Sequence, residues 1–120
     1  MSRQTDFHNK VEKYLNGVQV DNKKHWMKLV DMIVKLAKHG EELIQIDSDS
    51  YKPLHVGNRG AKEMNLIIIQ LKIKRKKYRI HTALTKNYLY LLHAFDKQGN
   101  KTPSKELGVT INRAKTIVNF

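Results

Sequence analysis

The fold is decided by residues 66–96, which read LIIIQLKIK (66–74), RKK (75–77), YRIHTALT (78–85), KN (86–87) and YLYLLHAFD (88–96). In the first two segments side chains of different character alternate with the period of two that is typical of a β-strand. The third segment is apolar on both faces, which predicts a strand in the interior of a sheet. Because the connections are only a few residues long, we predict three antiparallel neighbouring strands over 66–74, 78–85 and 88–96.

Helical periodicity occupies both ends of the chain. Apolar spacing predicts a first helix over 5–16, ended by Gly17, and a second over 22–39, ended by Gly40. Thr102-Pro103 is typical of a helix start, and an apolar stripe predicts the last helix after it. Residues 43–46 suit a short strand, and residues 47–60 suit a loop. The prediction is one domain over 1–120 with an α+β fold: an N-terminal helical hairpin, a small antiparallel β-sheet and a C-terminal helix.

Charge is distributed very unevenly. The formal net charge is +12. Residues 1–50 hold eight basic and eight acidic residues, whereas residues 51–120 hold 15 basic and 3 acidic residues. All the excess charge therefore lies in the second half, which predicts a polyanionic partner, chiefly nucleic acid. The chain has no cysteine, no membrane-spanning apolar run and no apolar signal-peptide core at its start, so we expect a cytoplasmic protein.

No motif favours a metal or a cofactor, and we predict neither. The run 47–50 resembles the start of a calcium loop, but the sixth and twelfth positions hold Lys52 and Asn58 where that loop needs Gly and Glu. The pair Gly57 and Gly60 suits an ordinary turn better than an RNA-clamping loop. No two of the six histidines lie three or four residues apart, the spacing of a helical metal pair.

Residues 70–103 carry the types of side chain that RNA chemistry needs. We expect Lys72, Arg79 and His93 to share one face of the sheet, with Lys97 following the third strand. Metal-free RNA cleavage uses the ribose 2′-OH as nucleophile, with a proton acceptor, a proton donor for the 5′ oxygen and cations around the phosphate. Histidine can take either proton role, and arginine and lysine bind phosphate. From the residues alone, cleavage and simple nucleic-acid binding remain equally open.

Further side chains of the same region are candidates for RNA contact. Basic residues bind the phosphate backbone, and tyrosine rings can stack on bases. The predicted RNA-binding residues are Lys74, Lys76, Lys77, Tyr78 and Lys101.

Residues 70–118 resemble the RelE superfamily, specifically the phage-derived HigB-like toxins of type II toxin–antitoxin systems. That family reads Glu-Leu-Arg-Ile, Tyr-Arg-Ile, Leu-Leu-His-Gly-Phe-x-Lys-Lys and Lys-Thr-Pro. The chain has, in the same order, Gln70-Leu71-Lys72-Ile73, Tyr78-Arg79-Ile80, Leu91-Leu92-His93-Ala94-Phe95 with Lys97, and Lys101-Thr102-Pro103. It departs from the pattern at Gln70, Lys72 and Gln98, where the family has Glu, Arg and Lys.

The resemblance implies a toxin that cleaves mRNA, usually on the translating ribosome, and that a helix-turn-helix antitoxin neutralises. It implies that Arg79 holds the scissile phosphate and that Lys72 and Lys97 supply further positive charge. His93 is then the general acid or base. Two other interpretations stay open: a non-catalytic RNA- or DNA-binding module, and a decayed toxin retained for binding its antitoxin.

Overall fold

The computed structural model describes residues 2–54, 67–99 and 104–118. Along the chain, its elements are β1 (Gln4–Phe7), α1 (Asn9–Asp21), α2 (Lys23–His39), α3 (Glu42–Ile46), β2 (Tyr51–Pro53), β3 (Ile67–Lys72), β4 (Tyr78–Leu84), β5 (Tyr88–Asp96) and α4 (Ser104–Val118). This order confirms the predicted α+β class. The predicted turn at Gly57 and Gly60, and the predicted helix start at Thr102-Pro103, lie outside the described residues.

The described strands form one five-stranded sheet in the order β1-β5-β4-β3-β2. Strands β2 to β5 pair antiparallel, as predicted for the central three, and β5 lies in the interior of the sheet. The sheet differs from the predicted antiparallel one by the additional strand β1, which runs parallel to β5. The backbone N–H of Gln4 donates to the Asn87 carbonyl and that of His8 to the Leu91 carbonyl, which fixes both ends of β1.

The first predicted helix begins too early and ends too early. Residues 4–7 form β1, so Phe7 reaches the core from a strand and not from a helix. The helix begins only after His8, whose Nδ1 accepts the backbone N–H of Lys10. It then passes through Gly17, the residue that was predicted to end it. Buried Leu15 and Val18 lie on both sides of that glycine, and their packing holds the helix together across it.

The second helix agrees with the prediction to within one residue. The Asn22 side chain accepts the backbone N–H of His25 at its start, and Gly40 ends it with φ +65°. Arg3 packs against Gly40 so closely that a Cβ there would come within 2.8 Å of the guanidinium. Glycine is therefore favoured at residue 40 by its positive φ, and a Cβ there would also displace the Arg3 side chain.

The segment 43–46 was predicted as a strand, which is wrong. It belongs to the short helix α3, in which Leu43 is buried and Ile46 is exposed. Backbone hydrogen bonds from Leu43 to Gly40 and from Asp47 to Leu43 make the chain turn here. The predicted loop is also interrupted by β2 at Tyr51–Pro53, where Pro53 is tolerated because the strand lies at the sheet edge.

Helices cover both faces of the sheet. Residues of α1 and α2 pack on one face, the hairpin face, and build the main core with alternate residues of β3, β4 and β5. The other face, the α4 face, has a smaller core of Ile68, Ala83, Leu92, Ile111 and Ala114. Among the described residues no helix is both long and apolar enough to cross a membrane. Because the small core occupies only part of the α4 face, polar side chains are left beside it.

Candidate nucleic-acid site

Strand register aligns two rows of side chains, most of them polar, on the α4 face. The first row crosses four strands and consists of Lys52, Gln70, His81 and His93. The second row crosses three strands and consists of Lys72, Arg79 and Phe95. Adjacent same-face residues in a strand lie about 7 Å apart, so the two rows are direct neighbours. The sheet therefore brings together Lys72, Arg79 and His93, as expected from the strand phases.

A β-bulge in β5 turns His93 to this face. His81 pairs with His93, but Thr82 pairs with Leu91, so Leu92 is an additional residue in β5. Both Leu92 and His93 consequently lie on the α4 side. In a regular strand, the alternation that brings Leu92 to this face would direct His93 into the main core. The bulge is thus the local feature on which the position of His93 depends.

Four cationic side chains, the cation cluster, gather at one end of the α4 face: Lys52, Lys72, Arg79 and Lys97. Partial burial lowers the pKa of Lys97, and repulsion from Arg79, Lys72 and Lys52 lowers it further. Lys52 is exposed and Lys72 is half-buried. Like charges held together in this way create a positive potential that favours a phosphate or another anion.

Arg79 lies beneath this surface. Its side chain is buried, and Nη1 donates to the carbonyl oxygens of Lys76 at 2.7 Å and Tyr78 at 2.8 Å. Its Nε has no hydrogen-bond partner among the described residues. Burial lowers the pKa of Arg79, but an arginine remains charged across the physiological range. The guanidinium therefore contributes a fixed positive charge, while its Nη1 is committed to the backbone.

His93 is held between two residues of α4. Its Nε2 lies 3.1 Å from Glu106 Oε2, and its Nδ1 lies 3.4 Å from Nη1 of Arg113. Burial lowers the pKa of His93, Glu106 opposes that shift, and Arg113 and His8 add to it. A neutral imidazole that donates from Nε2 to the carboxylate and accepts weakly at Nδ1 satisfies both contacts. Nδ1 is then the nitrogen that can accept a proton.

His81 is a structural neighbour of this histidine. It is fully buried, with Nε2 3.0 Å from Gln70 Oε1 and Nδ1 2.7 Å from Thr110 Oγ1. Burial, followed by the proximity of His93, lowers the pKa of His81 to about 3. The Thr110 hydroxyl also donates to the Glu106 carbonyl oxygen at 3.1 Å, and a neutral His81 ring makes one of its two contacts as a donor and the other as an acceptor. This network ties α4 to the middle of the sheet.

Aromatic packing completes the surroundings of His93. The Phe95 ring stacks on the His93 ring, with centroids 5.1 Å apart, and meets the His81 ring edge-on at 5.0 Å. Phe95 also pairs with Arg79 in the second row. The ring therefore packs against both histidines and limits the rotation of His93.

The predicted RNA-binding residues are only partly brought to this surface. Lys74, Lys76 and Lys77 are exposed at the β3–β4 turn, where Lys77 pairs with Asp96 at 3.3 Å. Tyr78 lies on the hairpin face instead: it is buried, and its hydroxyl is 2.9 Å from His25 Nδ1. Tyr78 therefore offers no ring face for stacking on a base. Lys101 lies outside the described residues.

Three further functional candidates were not predicted from the sequence. Lys52 joins the cation cluster because β2 pairs with β3 at Gln70. Glu106 and Arg113 approach His93 from the same side of α4. Their separation of seven residues is a signal for one helix face, which was available in the sequence. Nothing in the sequence around Lys52 indicates its strand partner.

Metal binding has no support in the part of the chain that the structure describes. Within it, no group of three or more His, Asp or Glu side chains is arranged to hold a metal ion. The side chains gathered at the site can supply proton transfer, hydrogen bonding and positive charge.

Comparison with known families agrees with the resemblance at a coarser level. The family described as phage-derived protein Gp49-like (DUF891) matches residues 6–115. No curated protein and no solved structure matches the chain. The family match covers nearly the whole chain and includes both the cation cluster and the His93–Glu106 pair. The chain therefore belongs to the phage-derived Gp49-like family, which is part of the RelE/HigB-type toxin group.

Proposed function

We propose that this protein is the toxin of a type II toxin–antitoxin system and that it acts in the cytoplasm as a metal-independent endoribonuclease on mRNA, at the ribosome. The observation that carries the proposal is the position of His93 and Glu106 beside the cation cluster. Membership of a family associated with such toxins supports the same class.

In the proposed reaction the neutral His93 is the general base. Its Nδ1 takes the proton of the ribose 2′-OH, whose oxygen then attacks the adjacent phosphorus and displaces the 5′ oxygen. Glu106, bonded to Nε2, orients the ring and stabilises the imidazolium that forms, as a carboxylate does in a catalytic triad. The Arg113 contact at Nδ1 is long at 3.4 Å, and the same Nη1 makes a shorter bond of 2.7 Å to the Leu92 carbonyl. A substrate hydroxyl can therefore replace the weaker contact.

The cation cluster is the proposed phosphate site. Lys52, Lys72 and Lys97 supply positive charge at the protein surface, and Arg79 supplies it from below. Fixed cations are complementary to the charge that develops on the phosphorane, which is commonly the largest catalytic contribution. Lys97 is also the candidate proton donor to the leaving 5′ oxygen, because partial burial and its cationic neighbours lower its pKa.

Expression in a bacterial host tests the toxin assignment. We expect induction of the wild-type chain to arrest growth and His93→Ala to relieve the arrest. The matched control is His39→Ala, because His39 is exposed at the end of α2, remote in sequence from the site. Arrest that persists in His93→Ala at equal protein levels would refute the catalytic role of His93, and absence of any arrest would refute the toxin assignment.

A helix-turn-helix antitoxin is the proposed partner. Co-expression with the protein encoded by the adjacent gene should restore growth, and the two chains should co-purify. Failure of every neighbouring gene to restore growth would count against a type II system.

A second candidate is a module that binds RNA or DNA without cutting it. Two observations favour it: both ring nitrogens of His93 have partners on α4, and Nη1 of Arg79 is bonded to carbonyl groups. A non-catalytic protein would bind RNA with an affinity that falls steeply with salt and would leave the strand intact.

A further inference from the structure

A second concave site lies on the α4 face, at the opposite end of β5 from the cation cluster. It is a groove of about 210 Å³ between the last turns of α4 and the strands β1 and β5. Pockets for drug-sized ligands measure roughly 300–1,000 Å³. The groove therefore has room for one small, flat ring system, and neither the family match nor the proposed reaction gives it a role.

The walls of the groove are apolar and aromatic. Leu92 and Ile117 form part of the lining, together with the Tyr90 ring. Tyr90 stacks on Tyr88, with centroids 5.6 Å apart, and Tyr88 is 41% exposed. Paired aromatic rings at a surface are the platform on which single-stranded nucleic acids stack their bases.

The polar groups of the groove differ from those of the cation cluster. Strand pairing places Asp6 directly beside Tyr90, and burial, the neighbouring Tyr88 and the charge of Asp6 together raise the pKa of Tyr90. His8 and Arg113 also line the groove, and His8 follows Asp6 by two residues at the end of β1. His8 accepts a backbone N–H through Nδ1, and burial together with the charges of Arg113 and Lys10 lowers its pKa. The neutral ring therefore carries a donor at Nε2 in the groove that the Asp6 carboxylate acceptor also lines.

This combination fits a nucleobase. Apolar and aromatic walls suit the ring faces, and a donor and an acceptor near each other suit its polar edge. A carboxylate favours an edge with two adjacent N–H donors, and guanine has such an edge at N1 and N2. A phosphate, by contrast, is disfavoured next to Asp6.

The groove is also continuous with the proposed site of cleavage. Arg113 lines the groove and contacts His93, and His8 is close enough to influence the pKa of His93. Leu92 and Lys97 are separated by five residues of extended chain, or roughly 16 Å. A strand that places a phosphate at the cation cluster therefore reaches the groove with a base a few nucleotides away.

We infer that the groove between α4, β1 and β5 binds one unpaired base of the RNA, with Asp6 selecting guanine. The inference rests on the proposed function for its substrate class and extends it by naming a base-reading site. It makes the protein selective for RNA sequence at a position remote from the scissile bond.

Equilibrium binding tests this inference separately from cleavage. The probes are fluorescent single strands of roughly ten nucleotides, a length within the range of single-strand binding sites. They are 2′-O-methylated, so that no 2′-OH is available for attack, and carry either guanine or hypoxanthine at one position. Hypoxanthine lacks only the 2-amino group. We expect the wild-type chain to bind the guanine strand roughly tenfold more tightly, within the range for one paired base contact.

Two groove variants and one control sharpen the result. Asp6→Asn should bring the ratio of the two affinities close to one, and Tyr90→Leu should weaken both strands. Asp31→Asn, an exposed carboxylate on α2, should keep the wild-type ratio. A wild-type ratio near one, or a ratio unchanged in Asp6→Asn, would overturn the inference.

Two further outcomes distinguish a failure of the base-binding inference from a failure of the proposed cleavage reaction. If base selection is found but unmodified RNA is never cut, the proposed reaction fails and the groove assignment stands. If RNA is cut but groove variants change only the affinity for a protein partner, the groove is a protein interface and the inference falls.

Discussion

At the residue scale, the two histidines of the α4 face have different environments and different proposed tasks. His81 is fully buried, neutral and bonded on both sides, so it connects the sheet to α4. His93 is only partly buried and has a carboxylate at Nε2 and a long contact at Nδ1. Both histidines lie in the same row of the sheet, so the difference in burial and hydrogen bonding comes from the side chains around each ring.

The pH dependence of RNA cleavage tests the role of Glu106. Neutral His93 is the active base, so the rate should fall as pH drops through the pKa of His93. Glu106 raises that pKa. In Glu106→Gln the acid limb of the pH–rate profile should therefore move to lower pH, and the plateau should fall by roughly tenfold or more because the imidazolium loses its counter-charge.

The control for this profile is Glu41→Gln, which removes an exposed carboxylate at the start of α3. It should reproduce the wild-type profile. A plateau loss in Glu106→Gln without any movement of the acid limb would mean that Glu106 acts only on packing.

The buried His81 predicts how stability depends on pH. Its pKa is about 3 in the folded chain and near 6.5 when unfolded, so below pH 6.5 the unfolded chain binds the extra proton. This contribution to stability is complete above pH 6.5 and is lost as pH falls, by up to about 1.4 kcal/mol per pH unit. Urea denaturation at pH 7.5 and pH 5 measures the loss.

His81→Gln should flatten that dependence, and His39→Gln should preserve it. If His81→Gln is unfolded in water, the pKa of His81 is measured by NMR in the wild-type chain, because His8 and His93 also have lowered pKa values and contribute to the same loss. Constant stability of the wild-type chain between pH 6.5 and pH 5 would contradict a neutral, buried His81.

At the element scale, the two glycines of the helical hairpin have different roles, since one ends α2 and the other lies inside α1. Gly40 has φ +65°, and a Cβ there would lie 2.8 Å from Arg3, whereas Gly17 lies inside α1 with nothing within 4 Å. We expect Gly40→Ala to lower the free energy of unfolding by about 1–2 kcal/mol or more. Gly17→Ala should raise it by roughly 0.5–1 kcal/mol. Chemical denaturation measures the free energy of unfolding of both variants and of the wild type. A change in the same direction in both variants would contradict this interpretation.

The elements predicted well are those whose signal is local. Strands β3 and β4 were predicted from the alternation of their side chains. The same alternation directs Tyr78 to the face opposite Arg79, so the predicted RNA contact of Tyr78 was inconsistent with the predicted strand. Strand β1 was missed because its four residues have no apolar alternation and pair with a segment some 80 residues later. The bulge at Leu92 was missed for the same reason: pairing with β4 creates it.

In the candidate site, too, only the residues with a local signal were predicted from the sequence. The strand phases united Lys72 with Arg79, because both lie on regular strands. Lys52 and the contacts of His93 with Glu106 and Arg113 depend on how β2 and α4 pack against the sheet. Such tertiary contacts have no local signature, so the sequence indicated Lys72, Arg79 and Lys97 but neither Lys52 nor the residues that orient the histidine.

At the scale of the whole molecule, the charge asymmetry of the sequence corresponds to a division between elements. Residues 51–120 carry all of the net charge of +12, and they include β2 to β5 and α4. The hairpin of α1 and α2 belongs to the electrically balanced first half and covers the opposite face of the sheet. A negatively charged strand should therefore approach from the α4 side.

Salt dependence of RNA binding measures this directly. For single strands the logarithm of the binding constant falls with the logarithm of salt by about 0.7 per phosphate contact. Removing Lys52 or Lys72 by substitution with alanine should reduce the slope by about that amount. Lys28→Ala, an exposed lysine of α2, should leave the slope as in the wild type. Equal slopes for all of these proteins would place the RNA elsewhere.

The central claim is that His93 and the cation cluster cleave RNA through its own 2′-OH. The most direct test incubates the purified chain with mRNA, free and in translating ribosomes, in the presence of a chelator, and determines the chemistry of the new ends. We predict a cut strand with a 2′,3′-cyclic phosphate and a 5′-hydroxyl, lost in His93→Ala and retained in His39→Ala. RNA that binds but stays intact in both settings, or is cut equally by His93→Ala, would contradict this claim.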